Sequence, residues 1–437
     1  MSTDAAGQQR HRVVIVGGGF AGMLCAKGLK KSPVDVTLID RRNFHLFQPL
    51  LYQVATGGMS PANIASPLRS IFKKQRNVRT LLAEVSAFDL TAKEVVTANG
   101  QRIPFDTLVV ATGSTHHYFG KDAQYAPLAP GLKSVEDATE IRRKVLGAFE
   151  RAEKEADPAK RRQQLTFVVV GGGPTGVEMA GSIAELAHQT MRNDFRSIDP
   201  AAARIILVEN SLRVLETFAE TLSGKALKAL QAMGVEAWLG CKVTDIQPDR
   251  VAISRSGGAN EWLPCETVVW AAGVKASPLG AKLKEAVPAV EMDRGGRPTV
   301  TADCHLPGRP DVFVVGDLAS FKGADGKPLP GVAPVAMQQG EYVADVIDRR
   351  VRGLSGRDGF RYWDKGSMAT IGRNRAVAET GKLKLSGFIA WLAWLFIHIM
   401  YLARFENRVM VMFQWFFNYV TRNRSARLIT NTREDRT

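Results

Sequence analysis

Two groups of glycines in this 437-residue chain are spaced for phosphate chemistry. Gly17, Gly19 and Gly22 form Gly-x-Gly-x-x-Gly with Gly18, Phe20 and Ala21 between them, and Gly171, Gly173 and Gly176 repeat the spacing. The first glycine permits a tight turn. The second lets backbone approach a pyrophosphate, and the third lets the following helix pack close to the strand before it. Phosphates then rest on the free amides of the helix N-terminus. Asp40 lies about twenty residues past the first loop, where a carboxylate accepts the ribose hydroxyls of an adenosine. Glu209 holds the corresponding place after the second loop. Two such patterns predict two dinucleotides, one held permanently and one exchanged. No serine or cysteine nucleophile is arranged with a base, so the chemistry falls to the cofactors.

Regular elements must position these groups. Residues 13–16 are branched and apolar, a buried strand, and a helix follows the loop. Residues 34–39 form the strand that delivers Asp40. Residues 165–170, a helix from 177 to about 187, and strand 204–208 repeat the plan and deliver Glu209. The repeat goes further. Strand 108–110 runs into Ala111-Thr112-Gly113, and strand 267–270 runs into Ala271-Ala272-Gly273, small-residue turns that let backbone lie along a cofactor. Strand 311–315 carries Asp317 to its carboxyl end, the edge where doubly wound sheets bind ligands. The fold class is therefore α/β, with two Rossmann-like dinucleotide-binding domains and a C-terminal amphipathic helical region. The boundaries read as 1–120 and 291–360 for the first domain, 121–163 for a helical connection, 164–290 for the second domain and 361–437 for the tail. Helices are expected over 61–75, 135–156 and 223–234, and an Asn99-Gly100 hairpin between short strands. The basic run Lys160-Arg161-Arg162 reads as a connection.

Three stretches fall outside this scheme. Residues 41–58 are aromatic and Gln-rich, broken by Pro49 and without period, a wall for a cofactor ring. His45 within them reads as a hydrogen-bonded structural histidine rather than an acid. Gln338 and Gln339, at the expected start of a helix, suit hydrogen bonding to a neutral polar ring or carbonyl. Residues 387–403 are apolar nearly all round but short of the roughly 20 residues of a spanning helix. Residues 404–408 interrupt them, and 409–420 are apolar again. Asn407, Gln414, Asn418 and Thr421 recur along one face, with Arg422, Arg424 and Arg427 after them. Tryptophan and tyrosine beside arginine suit the membrane–water interface. A membrane-surface helix is the preferred reading, and a core helix, a dimer face or a true span are its alternatives.

Composition sets bounds. A hydrophobic fraction of 45% with 23% charge suits a folded protein of two or three domains. Cys25, Cys241, Cys265 and Cys304 are far apart and form no Cys-x-x-Cys, which argues against zinc, an iron–sulfur cluster or a disulfide framework and suits a reducing compartment. The polar first twelve residues lack the apolar core of a secretory signal. Net charge is +15, and residues 361–437 carry thirteen Lys/Arg against five Asp/Glu. That bias predicts an anionic partner. It flanks apolar helices rather than a groove, so lipid is favoured and nucleic acid is not.

Together these residues resemble the type II, non-proton-pumping NADH:quinone oxidoreductases among the two-dinucleotide-binding flavoproteins. The resemblance rests on both glycine loops, His45 to Gln53, Val315-Gly316-Asp317, the Gln338-Gln339 stretch and the aromatic, basic tail, and covers about 11–430. It implies FAD on Gly17, Gly19, Gly22 and Asp40, with Phe20 and Ala21 in the loop, Thr112 and Gly113 along the flavin nucleotide, Asp317 on its ribityl or pyrophosphate part, and Ala336 close by. It implies NADH on Gly171, Gly173, Gly176 and Glu209, with Gly273 at the mirrored turn. A carboxylate at Glu209 repels a 2′-phosphate, so NADH is preferred to NADPH. Glu178 falls near where nicotinamide meets flavin, and Gln338 and Gln339 are candidates for the quinone contact. Pro334 stands where many members have a glutamine, a departure from the pattern. The resemblance places the protein on the cytoplasmic face of the cell inner membrane as a peripheral protein, with residues 387–427 on lipid and a homodimer hinted at by the apolar tail. The competing readings are a sulfide:quinone oxidoreductase, which needs converging cysteines, a disulfide reductase, a reductase of a soluble partner, and a flavin-containing redox sensor.

Overall fold

The computed structural model describes residues 10–255, 257–403, 405–421 and 424–430; the readings made on residues 1–9, Arg404 and Arg422 lie outside them. The chain divides into two compact units, one of residues 1–46, 65–115 and 274–364, the other of 47–64, 116–273 and 365–437.

The first unit is built on a six-stranded sheet in the order His305–Leu306, Arg309–Val314, Thr107–Val110, His11–Val16, Val34–Asp40, Val78–Leu82. All neighbours are parallel except the short first strand. Val13, Val14, Ile15 and Val16 are buried, as a parallel strand covered on both faces requires. The helix Phe20–Gly28 leaves that central strand and packs on the helix Ala333–Val351. A Cβ on Gly340 would fall on the Ala21 carbonyl, so glycine sets how close these helices come. The Asn99-Gly100 hairpin joins Glu94–Thr97 to Arg102–Pro104, with Gly100 at φ +82°.

The helix expected over 61–75 is broken. Pro61–Ile64 and Leu68–Phe72 are helical, but Ala65–Pro67 is a strand paired with Phe44–Leu46. Ser66 precedes Pro67, which disfavours helical backbone, and the pairing satisfies the polar groups thus released.

The second unit holds four parallel strands in the order Val235–Leu239, Arg204–Glu209, Thr166–Val170, Thr267–Trp270. The helix expected over 135–156 spans Val135–Lys154, starts in a Ser134/Asp137 capping box, and buries Ile141, Val145 and Phe149. Phe149 stacks on Phe167 at 5.3 Å. The helix expected over 223–234 spans Glu220–Gln231. The run 160–162 lies in a short helix, Pro158–Gln164, capped by Asp157; an Asp-Pro start was the signal that a reading by charge passed over.

Residues 47–64 belong to this second unit, a grouping that a boundary at 120 does not express. Leu50, Leu51 and Val54 anchor them in its core. An antiparallel sheet of Ser367–Gly372, Arg375–Thr380 and Leu383–Gly387 leads into two tail helices, Phe388–Tyr401 and Phe405–Thr421. With 14 and 17 residues, they reach about 21 and 26 Å at 1.5 Å per residue, against a hydrocarbon core of about 30 Å. No described helix is long and apolar enough to cross a membrane.

Candidate functional site

The two glycine loops have the same geometry. Gly17 and Gly171 take φ of +106° and +105°, open only to glycine. A Cβ on Gly22 would fall on the Gly17 carbonyl, and one on Gly176 on the Gly171 carbonyl. At Gly19 and Gly173 nothing lies within 4 Å of where a Cβ would sit. Neither following helix is capped by a side chain, in contrast with the capping box at Ser134. Each loop is thus an open cradle at a helix N-terminus without a side-chain cap, which fits a pyrophosphate.

The ribose carboxylates sit beside the cradles. Asp40 accepts the amides of Gly18 at 2.6 Å and Arg42 at 2.7 Å; burial pushes its carboxyl up, and those two bonds work against the shift. Glu209 accepts the amides of Gly172 and, at 2.7 Å, Ser211. His45 donates from Nδ1 to the Gly18 carbonyl at 3.0 Å and meets Phe20 edge-on at 5.0 Å. Burial lowers its pKa to about 4, so it is neutral near pH 7, and its place in the site is to hold the loop.

The rest of the first cradle comes from strand ends. Thr112 bonds the Ser277 hydroxyl at 2.6 Å, and Gly113, at φ +66°, has open space at its Cβ position. Asp317 accepts the Ser114 hydroxyl at 2.8 Å. In the second unit the mirrored turn differs: the Phe119 ring lies 2.9 Å from where a Cβ on Gly273 would sit. The repeat is one of backbone, not of surroundings.

Gln338 and Gln339 lie inside the helix Ala333–Val351 rather than at its start. Pro334 sits in its first turn, where the missing N–H costs nothing. Gln339 is buried and accepts the Gly316 amide at 2.7 Å, which fixes the turn carrying Asp317. Ala336 packs against that same glycine. Gln338 bonds the N–H and the carbonyl of Trp363, each at 3.0 Å.

A cavity of about 150 Å³ lies elsewhere, within the second unit. Tyr52, Gln53, Glu178, Trp394, Trp415 and Arg424 are among its walls; Gln338 and Gln339 are not. Glu178 comes from the helix Pro174–Glu185, and burial raises its carboxyl to about 8 against a backbone hydrogen bond from Thr370. Ser182 and Glu185, four and seven residues on, share its face. Arg424 donates to Ser182 and pairs with Glu185 at 2.9 Å, so the chain after the tail is fastened to the helix that carries Glu178. Trp394 lies 5.4 Å from Trp415 and stacks on His398 at 4.2 Å.

The tail helices turn their polar stripe inward. Asn407 donates to the carbonyls of Ala62 and Asn63, Asn418 to that of Gly58, and Trp415 to Gln53. Gln414 bonds Ser425, and Thr421 bonds its own helix at Phe417. Phe396, Phe413, Phe416, Phe417 and Val420 are left exposed, Phe396 by 64% and Phe416 by 67%. Sequence reasoning marked 41–58 as a wall for a cofactor ring without singling out Tyr52 or Gln53. In the structure Tyr52, Gln53, Thr56 and Gly58 of that stretch line the cavity, and its apolar, Gln-bearing composition was the available signal.

The four cysteines are buried and free. Burial pushes the thiols of Cys25 and Cys265 up to about 12 and raises that of Cys304, which keeps them as thiols packed in the interior rather than reactive thiolates.

A family model described as pyridine nucleotide-disulphide oxidoreductase matches residues 11–340, which sets the class: an oxidoreductase with two dinucleotide folds. The NDH2 C-terminal domain matches residues 364–423. The type II NADH:quinone oxidoreductase NdhA of Mycobacterium tuberculosis is 46% identical over 97% of this chain and 90% of its own. Among solved structures, NDH2 of Plasmodium falciparum in complex with NADH superposes with a TM-score of 0.86 at 19% identity, covering 97% of this chain and all of that one. The sulfide:quinone oxidoreductase of Aquifex aeolicus superposes at 0.71 with 16% identity over 97% and 93%. These two show the fold. The chain belongs to the type II NADH:quinone oxidoreductases.

Proposed function

We propose that this protein oxidises NADH with a bound FAD and delivers two electrons to a membrane quinone, without pumping protons. The observation that supports it is the pairing of two open glycine cradles, each with its ribose carboxylate, with a cavity walled partly by the aromatic tail. When bound, FAD supplies the chemistry, accepting hydride at its ring and releasing the electrons singly or in pairs.

This chain's own residues bind, orient and hold protons. Gly17, Gly19, Phe20, Ala21, Gly22 and Asp40 hold the FAD adenosine and pyrophosphate, Thr112 and Gly113 lie along its nucleotide, and Asp317, steadied by Gln339 and Ala336, takes its ribityl or pyrophosphate part. Gly171, Gly173, Gly176 and Glu209 hold NADH, with Gly273 at the turn beyond. Residues 1–120 and 291–360 make the FAD-binding domain, and 164–290 the NADH-binding domain. Glu178, protonated near pH 7, is the proton-holding group of the acceptor cavity. Gln339 acts through the Asp317 turn, and Gln338 ties the helix to Trp363. The exposed aromatic face of residues 387–427, beside a basic C-terminus, rests on the cytoplasmic leaflet of the cell inner membrane; with no lipid present it would pair with a second copy as a homodimer.

The test is anaerobic. NADH should bleach the flavin of the purified protein, and a short-chain quinone should restore it. Bleaching without recovery by quinone would sink the reading and leave a reductase of another acceptor or a redox sensor.

A further inference from the structure

The acceptor cavity contains a chain of side chains whose direction is fixed by chemistry. Trp415 Nε1 lies 2.7 Å from Gln53 Oε1. An indole can only donate, so it decides which end of the Gln53 amide is oxygen. The other end, Nε2, then donates to the Tyr52 hydroxyl oxygen at 2.8 Å. With that oxygen accepting, the Tyr52 O–H must point elsewhere. None of the described residues accepts it. Tyr52 is buried in the cavity wall, and burial, with Glu178 near by, holds the phenol protonated.

A second observation concerns the same cavity. Trp394 lines it at 2% exposure, and its Nε1–H is buried with no acceptor among the described residues. The guanidinium of Arg424 is taken up by Glu185, Ser182 and Thr56. The wall therefore offers two unmatched neutral donors among flat aromatic rings. Its complement is a neutral, planar acceptor, a ring carbonyl rather than an anion. An unmet buried donor is unfavourable, and such a ligand relieves it.

The geometry points to Tyr52 as the hydrogen-bond donor to the quinone carbonyl, with Gln53 and Trp415 as positioning residues that aim it. Trp415 belongs to the tail helix whose other face is exposed and apolar, so the helix that meets lipid also sets the donor. This inference rests on the reading of the protein as a quinone reductase.

The experiment compares Trp415→Phe, Gln53→Leu, Tyr52→Phe and the double variant Tyr52→Phe/Trp415→Phe, following NADH bleaching of the flavin and its reoxidation by a short-chain quinone separately. Trp415→Phe keeps an aromatic ring but removes the five-membered ring with its N–H, and the double variant separates the lost hydrogen bond from lost packing. Each single variant should lower kcat/KM for quinone about tenfold, the scale of one misaligned hydrogen bond. The double variant should be no worse than Tyr52→Phe, because Trp415 acts through Tyr52. Additive losses would overturn the positioning role and indicate that Trp415 acts through packing or direct contact. Unchanged quinone kinetics in Trp415→Phe would overturn it too. Absence of reoxidation in the unaltered protein would instead defeat the functional reading, and so the two failures are distinguishable.

Discussion

Glu178 and Glu209 are both acids on or after the second glycine loop, and their surroundings give them opposite tasks. Glu178 sits in a cavity wall, and its carboxyl titrates near 8 against an ordinary 4.5. Between those values the folded state keeps a proton that the unfolded state has lost. The stability this contributes is therefore complete below about pH 4.5 and lost as pH rises through about 8. Glu178→Gln should flatten the fall in urea midpoint between about pH 5 and 8, and should also remove the alkaline limb of quinone reduction. An unchanged midpoint profile would show that the carboxyl is not perturbed. Glu209 instead accepts two backbone amides and stays available to a ribose. Glu209→Gln removes the repulsion toward a 2′-phosphate, and the NADPH to NADH ratio of kcat/KM should rise about tenfold, or ~1.4 kcal/mol. Bleaching rates with each nucleotide measure it.

At the scale of elements, packing distance carries the cofactor sites and amphipathicity the tail. A methyl on Gly22 would collide with the Gly17 carbonyl, so Gly22→Ala should purify without flavin absorbance while keeping the helical circular dichroism of the rest of the chain. Retention of flavin would mean that the loop gives way more easily than its contacts suggest. Asn407, Trp415 and Asn418 of the second tail helix bond residues 53–63, while Phe396, Phe413, Phe416 and Phe417 stay exposed. Burying each large apolar side chain is worth ~1.5–3 kcal/mol. The pair Phe396→Asp and Phe416→Asp should therefore weaken sedimentation with anionic vesicles by at least about a hundredfold, with NADH bleaching intact. Persistent binding would shift the weight to the basic residues, whose share falls as salt is raised.

For the molecule as a whole, the sequence carried what depends on short spacing. Gly17 to Gly22 and Asp40 lie within one strand–helix–strand unit, so backbone geometry alone dictated the cradle, and the second unit repeated it. The parallel sheets, the long helix from Val135 and the polar stripe of the tail were legible for the same reason: each is a local period. Sequence spacing missed the break at Ala65–Pro67 in the helix expected over 61–75, because strand pairing with Phe44–Leu46 outweighed helical propensity. It offered Gln338 and Gln339 as hydrogen-bonding candidates, and folding supplied their partners within the chain, Trp363 for the first and Gly316 for the second. The acceptor cavity was the least legible part. Tyr52, Glu178, Trp394 and Arg424 come from three distant stretches, and the bond that orders them joins Gln53 to Trp415, 362 positions apart. That two dinucleotides are held was determined locally, by turns that only glycine can make. What the cavity accepts was decided by the tertiary structure, because only folding brings a donor-only indole against an amide and so fixes where the neighbouring hydroxyl must point.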